Sequence, residues 1–113
     1  MERKDKKALI DAYKQKKAVG GIFLIENTKT GRAMLLPSSD PEGTKNRFNF
    51  ARETRTAPHL AITDWGDGTD FKVTLLDSME LDKEWDRQRV KKELSALTDL
   101  WREKFSDYIW YGL

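Results

Sequence analysis

The chain has 113 residues, of which 35% are charged and 38% are hydrophobic, and its net charge is only +2. This length allows one compact domain with a thin core, and the small net charge excludes a strong global attraction to polyanions, so nucleic-acid binding would need a local patch. The absence of cysteine excludes disulfides, thiolate metal sites and thiol catalysis, and a single histidine excludes a multi-histidine metal site within one chain.

The N-terminal segment predicts an exposed helix over Asp5–Lys17, and we expect residues 1–18 to form a helical segment ahead of the main domain. Its apolar side consists of Ala8, Leu9, Ala12 and Tyr13. The charged start, MERKDKK, lacks the apolar stretch of a signal peptide, and the apolar run Ile22–Ile25 is far too short to cross a membrane. These features predict a cytoplasmic protein without a membrane partner.

The stretch GGIFLIENTKTGRAMLLPSS, residues 20–39, predicts a β-hairpin. Apolar and β-branched residues predict a first strand over 21–27 and a returning strand over 32–36. Between the two strands, NTKTG supplies turn-forming side chains and Gly31, which can adopt a positive φ in a bulged turn. Pro37 is expected to end the second strand.

The middle of the chain predicts a polar loop followed by two short helices. The Asp-Pro and Gly signals in SSDPEGT, residues 38–44, favour a loop. Residues 45–52 then predict a short helix. A second short helix is expected over HLAITDW, residues 59–65, with Pro58 at its start and Gly66 at its end.

The last third of the chain predicts one strand and one long helix. FKVTLL predicts a strand over 70–76, and the long helix is expected over Asp82–Phe105. An apolar stripe runs along this helix through Val90, Leu94, Leu97, Trp101 and Phe105. The element order predicts a single α+β domain over 19–106, a small three-stranded antiparallel sheet flanked by helices, with 107–113 as an aromatic C-terminal tail.

Two tripeptides of the hairpin, Gly21-Ile22-Phe23 and Met34-Leu35-Leu36, lie where a known family has its signature. They stand in the places of Gly-Ile-Tyr and Tyr-Ile-Gly, and the chain resembles the GIY-YIG nuclease family over most of its length. Asn46-Arg47-Phe48 is similar to the family's short helix that carries an arginine. Further matches are His59–Ile62, Trp65-Gly66, Phe71–Val73 and residues 100–105 at the end of the last helix.

The resemblance implies a set of catalytic positions. Family members cut phosphodiester bonds with a divalent cation held by a glutamate on the long helix, while the tyrosines and the arginine orient water and stabilise phosphate charge. The matching positions in this chain are Phe23, Met34, Arg47 and Thr98. Only the arginine keeps the family's residue type, since the other three side chains carry neither a phenol nor a carboxylate. Of the nearby carboxylates, Asp99 is expected to face solvent, and Glu93 lies more than a turn away.

The resemblance therefore implies a nuclease-family protein with weak or lost phosphodiester cleavage. Mg²⁺ or Mn²⁺ would be its cofactor if some activity remains, and no metal ligand is predicted. The alternative is a catalytically inactive pseudo-nuclease that uses the same scaffold to bind nucleic acid or a protein. On the sequence alone, whether the chain is an enzyme stays open.

A cationic stretch, TKNRFNFARETRT, covers residues 44–56. If DNA or RNA is a partner, the contacts are expected at Lys45, Arg47, Arg52 and Arg55. These charges surround Phe48 and Phe50, and interleaved cations and aromatic rings can hold phosphates and stack on bases. The alternative interpretation, which the sequence favours slightly, is a solvated helix with both phenylalanines in the core.

The C-terminal tail is unusually aromatic at Tyr108–Tyr111. We expect it to pack back onto the sheet, with a homodimer contact as the second alternative and ligand binding as the third. The chain is accordingly expected to be a monomer or a weak homodimer that associates through this tail.

Overall fold

The structure is a computed structural model, and it describes residues 18–111 of the chain. This part is a single α+β domain in which one sheet is flanked by two helices. The strands are β1 (Ala18–Asn27), β2 (Arg32–Ser38), β3 (Phe71–Leu81) and β4 (Ile109–Trp110). The helices are α1 (Pro41–Thr54) and α2 (Arg87–Lys104). The strand order is β3-β1-β2-β4, with β1 antiparallel to both β2 and β3 and with β4 parallel to β2.

Each face of the sheet carries its own hydrophobic core, because the central strand β1 is buried on both sides. Successive side chains of a strand point to opposite faces, which explains why β1 is apolar at consecutive positions. The α1-side core consists of Phe23, Ile25, Met34, Phe48, Ala51, Ile62, Trp65, Phe71 and Tyr111. The α2-side core consists of Ile22, Leu24, Ala33, Leu35 and Leu94, with partly buried residues of α2 and the tail packed against it.

The hairpin turn has the chemistry predicted for it. Gly31 has a φ of 78°, and its amide N–H donates a hydrogen bond to the Asn27 carbonyl at 2.8 Å. The Asn27 side-chain oxygen accepts hydrogen bonds from the amides of Lys29 and Thr30. A residue with a Cβ would be strained at this positive φ, so glycine is favoured in the turn.

The sheet contains a fourth strand that the sequence did not predict. The three predicted strands pair in one antiparallel arrangement, and β4 then adds parallel to β2, opposite Arg32 and Ala33. The tail therefore packs back onto the sheet, as expected. Its rings divide between the two faces, with Tyr111 in the α1-side core and with Tyr108 and Trp110 against the α2-side core. A strand of two residues is too short to produce a periodic pattern.

Helix α1 begins earlier than predicted, because the Asp-Pro pair starts a helix instead of a loop. Asp40 is the N-cap, and its Oδ1 accepts a hydrogen bond from the Gly43 amide at 3.1 Å. Pro41 follows in the first turn, where a missing N–H leaves no hydrogen bond unmade. The predicted loop over 38–44 is therefore wrong from Pro41 onward. The expected end of the second strand at Pro37 is also wrong, because Pro37 pairs with Ile22 and β2 continues to Ser38.

The second short helix, predicted over 59–65, is wrong, since this segment is irregular. Ile62 and Trp65 are both buried, and their spacing of three residues imitates a helical pattern. The backbone instead turns at His59, whose Nδ1 accepts a hydrogen bond from the Ala61 amide at 3.0 Å. Such a local bond between a side chain and the backbone competes with helix formation.

Strand β3 and helix α2 meet at boundaries different from the predicted ones. A β-bulge lies at Leu76, where the strand was expected to end, and the pairing with β1 continues to Leu81. Helix α2 begins later than the predicted Asp82. Its N-cap is Asp86, whose Oδ1 accepts a hydrogen bond from the Arg89 amide at 2.8 Å.

The predicted N-terminal helix lies outside the described residues, apart from Ala18, which is the first residue of β1. The predicted boundary between 106 and 107 falls in the turn that joins α2 to the tail. Within 18–111, no helix is long and apolar enough to span a membrane.

Candidate functional site

Two of the four family-matched positions, Phe23 and Met34, are core residues on neighbouring strands. Their exposed fractions are 1% and 7%, and both belong to the α1-side core. Phe23 pairs with Leu36 of β2 and with Leu75 of β3. In these apolar surroundings the two side chains contribute packing and present no polar group to a substrate.

The third position, Thr98, lies on the other side of the sheet. It belongs to α2, the helix that covers the α2-side core, and only 5% of it is exposed. Its hydroxyl donates a hydrogen bond to the Leu94 carbonyl at 2.7 Å. The sheet separates this hydroxyl from Phe23 and Met34, so the structure does not bring the three residues into one site.

The residues present do not fit the divalent cation that the resemblance implies. Mg²⁺ and Mn²⁺ prefer oxygen anions as ligands. Thr98, at the position of the family's glutamate, has no carboxylate and uses its hydroxyl within its own helix. Among residues 18–111, no group of three or more His, Cys, Asp or Glu side chains is placed to hold a metal ion.

The four predicted nucleic-acid contacts surround α1 instead of forming one patch. At about 100° per residue, Lys45 and Arg52 lie about 20° apart, on the flank that faces β3, whereas Arg47 lies about 200° from Lys45. Arg55 ends the helix in a left-handed conformation with φ 56°, and its amide donates a hydrogen bond to the Ala51 carbonyl. The cations therefore lie on both flanks and at the end of the helix.

A cleft of about 330 Å³ lies between α1 and the edge strand β3. Its polar lining consists of Glu42, Lys45, Asn46, Asn49 and Arg52, and Phe23 lies among its apolar residues. Arg52 is held in place because its Nη2 donates a hydrogen bond to the Phe71 carbonyl at 3.0 Å. The cleft thus presents two cations, one carboxylate and two amide groups above an apolar floor.

The two phenylalanines of α1 have different environments. Phe48 is 1% exposed and lies edge-to-face on Trp65, with ring centroids 6.0 Å apart. Phe50 is 63% exposed. The expectation that both rings lie in the core is therefore correct for Phe48 and wrong for Phe50. Helical geometry places Phe50 on the outer ridge of α1, about 40° from Asn46 and about 60° from Arg47.

A polar cluster that the sequence did not reveal joins the end of β1 to the tail. The Tyr111 hydroxyl donates a hydrogen bond to Asp64 Oδ1 at 2.8 Å. Asn27 Nδ2 donates to Asp64 Oδ2 at 3.0 Å and to the Tyr111 hydroxyl oxygen at 3.3 Å. The Arg32 guanidinium lies 5.6 Å from the centroid of the Tyr111 ring. Because the hydrogen-bonded residues are 37 to 84 positions apart in sequence, no local pattern signals the cluster.

This cluster predicts a loss of stability at high pH. Burial raises the pKa of the Tyr111 phenol, and the bond to Asp64 raises it further against the opposing effect of Asn27. Because the folded-state pKa lies above the unfolded value of about 10, the contribution is complete below pH 10 and is lost as the pH rises through the folded-state pKa.

We therefore expect the urea midpoint of the protein to fall above about pH 10, and to fall less steeply in a Tyr111→Phe variant. Tyr108 adds to the decline in both proteins, because its hydrogen bond to Glu26 also raises its pKa. Equal slopes for the variant and the unaltered chain would contradict the prediction.

Packing within this fold explains the residue types of Gly21-Ile22-Phe23, one of the tripeptides that carry the family resemblance. A Cβ at Gly21 would lie 2.8 Å from Leu75 Cδ1 and 3.1 Å from the Asp77 carbonyl, so the close approach of β3 favours glycine there. Ile22 and Phe23 then fill the two cores.

Comparison with protein-family models, with curated proteins and with solved structures finds no match to the chain. The resemblance to GIY-YIG nucleases therefore stays a prediction.

Proposed function

We propose that this chain is a GIY-YIG-like protein that does not cleave phosphodiester bonds and that binds single-stranded nucleic acid across α1. One observation carries the proposal. The exposed ring of Phe50 lies on the ridge of α1, with Arg47 to one side and the Lys45–Arg52 cleft to the other.

The absence of cleavage is supported by the chemistry at the family-matched positions. A metal-dependent nuclease needs a carboxylate for its cation and donors for the phosphate within one site. Here the position of the carboxylate holds a buried threonine, and the positions of the two phenols hold buried apolar side chains on the opposite face. Arg47 alone can contact a phosphate but cannot activate water.

Binding of a single strand is supported by the exposure of Phe50. An aromatic ring that is 63% exposed offers a flat apolar face to a nucleobase. Stacking of a base on such a ring contributes about 1–3 kcal/mol and tolerates any sequence. Bases in a duplex stack on one another and present only their edges, so the ring favours an unpaired strand.

Phosphate contacts on both sides of the ring are supported by the distribution of the cations. With Lys45 on one flank and Arg47 on the other, a strand that crosses α1 at Phe50 meets a positive charge before and after the ring. Asn46 and Asn49 provide amide groups, which can both donate and accept hydrogen bonds at base edges. Because the net charge is only +2, the attraction has to come from this local arrangement, in which Lys45, Arg47 and Arg52 outnumber Glu42 and Glu53 by one charge.

The proposal is tested by fluorescence anisotropy with a short labelled oligothymidylate and a matched duplex. Phe50→Ala is expected to weaken single-strand binding by about 1–3 kcal/mol through lost stacking. Lys45→Ala and Arg47→Ala are each expected to lower the slope of log K against log salt by about 0.7, because each removes one phosphate contact.

Arg102→Ala serves as the matched control. This arginine is exposed on α2, where it lies 3.5 Å from Asp99, and α2 covers the opposite face of the sheet. We expect its replacement to leave affinity and salt slope unchanged. An equal loss in the control, or a duplex bound as tightly as the single strand, would contradict binding across α1.

A further inference from the structure

An apolar groove of about 680 Å³ lies beside the N-terminus of α2. Its apolar lining consists of Pro37, Leu81, Trp85, Val90 and Leu94. The Arg89 guanidinium lies 5.4 Å from the centroid of the Trp85 ring, a cation–π contact that helps to hold the ring in place. The remaining lining residues, Ser39, Asp86, Arg87 and Lys91, are polar or charged, so the groove combines an apolar surface with polar groups, as docking surfaces do.

The chain enters the sheet directly beside this groove. Ala18, the first described residue, pairs with Leu81 across β1 and β3. A Cβ at Gly20 would lie 3.0 Å from Leu94 Cδ2 and 3.1 Å from Leu81 Cδ2, so the start of β1 runs across two residues of the groove lining. The 17 residues that precede Ala18 are therefore connected to the chain at the edge of the groove.

The preceding segment has the apolar pattern that the groove requires. Ala8, Leu9, Ala12 and Tyr13 repeat at helical spacing. Leu9 comes nine residues before Ala18, which corresponds to about 13 Å along a helix and up to about 30 Å along an extended chain. Either length is enough to span a groove that begins beside Ala18.

The charges of the segment and of the groove edge are complementary. Residues 1–17 contain seven lysines and arginines and three acidic residues. The turn Asp82–Asp86, which leads into the groove at Trp85, contains three carboxylates and one lysine. Arg87 and Lys91 line the α2 side of the groove and repel a basic segment, which favours its approach over the turn.

We propose that residues 5–17 dock into this groove within the same chain. Leu9 and Tyr13 cover Trp85 and Val90, and the lysines of the segment lie toward the carboxylates of Asp82 and Glu84. Chain continuity, the apolar pattern and the charge pattern favour this occupant independently of nucleic-acid binding at α1.

The first test measures access to the groove in the full chain. Because the sequence contains no cysteine, Val90→Cys introduces one thiol in the groove, and Ala96→Cys introduces one on the exposed side of α2 as a reference. In the Leu9→Ser/Tyr13→Ser background, we expect labelling of the Val90→Cys thiol to accelerate at least about tenfold, because apolar contacts of this size hold the segment in place.

The matched control is Asp11→Ser/Gln15→Ser, a pair with the same spacing on the opposite side of the same predicted helix and without a lysine of the proposed contact. It is expected to change labelling of the Val90→Cys thiol by less than about twofold, since surface substitutions have small effects, while the Ala96→Cys thiol reacts at one rate in every background. Equal acceleration by the two pairs would overturn the proposal. Protection that disappears on dilution, together with a dimeric mass, would assign the groove to a second copy and overturn docking within one chain.

A second measurement uses the unaltered protein and does not depend on how the variants fold. A zero-length carbodiimide reagent joins lysines to carboxylates that touch, and mass spectrometry identifies the pairs. We expect links from Lys14, Lys16 or Lys17 to Asp82 or Glu84 within monomeric protein. Links from these lysines only to carboxylates away from the groove would overturn the proposal.

Discussion

The Phe23→Ala variant is expected to lose about 3–5 kcal/mol of unfolding free energy, the usual range for removing a buried phenyl ring. Phe23 is 1% exposed at the centre of β1, where the strand has neighbours on both sides. The truncation leaves a cavity in the α1-side core, which close-packed surroundings fill only in part. Urea or thermal unfolding of the full chain measures the change.

Phe50→Ala provides a control with the same chemical change on the same domain. Because Phe50 is 63% exposed, its truncation is expected to alter the unfolding free energy by less than about 0.5 kcal/mol. The two variants therefore separate a family-matched residue that packs from an exposed residue that is available to a ligand. A loss of stability at Phe50 as large as at Phe23 would contradict the assigned environments.

Purified protein is expected to cut neither plasmid DNA nor short RNA above background with Mg²⁺ or Mn²⁺. Removing a single catalytic donor costs about 10²–10³ in rate in well-studied sites, and here the phenols and the metal carboxylate are all replaced. The side chains at these positions also lie on two faces of the sheet. More than one missing group therefore accounts for the expected loss of cleavage. A long incubation with an active nuclease as positive control measures the effect.

An Arg47→Ala variant distinguishes activity of this chain from a contaminant. Arg47 is the one family-matched position that keeps its residue type, so genuine cleavage should depend on it. Metal-dependent cutting that vanishes in the variant would contradict the prediction and point to ligands other than the family-matched ones. Cutting that persists in the variant would come from a contaminating nuclease.

The hairpin shows which structural features can be predicted from sequence patterns of a few residues. Asn27 and Gly31 form the turn through contacts within five residues, so the sequence predicts the turn, whereas the pairing of β1 with β2 came from the structure. The helix start at Asp40 and Pro41 had an equally local signal, which the neighbouring serines and Gly43 obscured. By contrast, Ile62 and Trp65 have helical spacing without a helix, because tertiary burial selected these positions.

At the candidate site, the residue types were predictable from the sequence, but whether these residues meet in one site was not. The absence of a carboxylate at Thr98 and of phenols at Phe23 and Met34 could be read directly from the sequence. Whether these positions meet depends on strand alternation and on which face α2 covers. Likewise, the cations at Lys45 and Arg47 could be counted from the sequence, but the exposure of the ring between them required the fold.

The sequence by itself determined the α+β class, three strands, the long helix and the residue types at the positions that resemble the family's catalytic ones. These features depend on turn chemistry, periodicity and side-chain identity, which act over a few residues. Only the tertiary structure decided the fourth strand, the cluster of Asn27, Asp64 and Tyr111, and the placement of Thr98 behind the sheet. Each of these depends on contacts between residues far apart in the chain, where burial and hydrogen bonding select among alternatives that local propensity leaves equal.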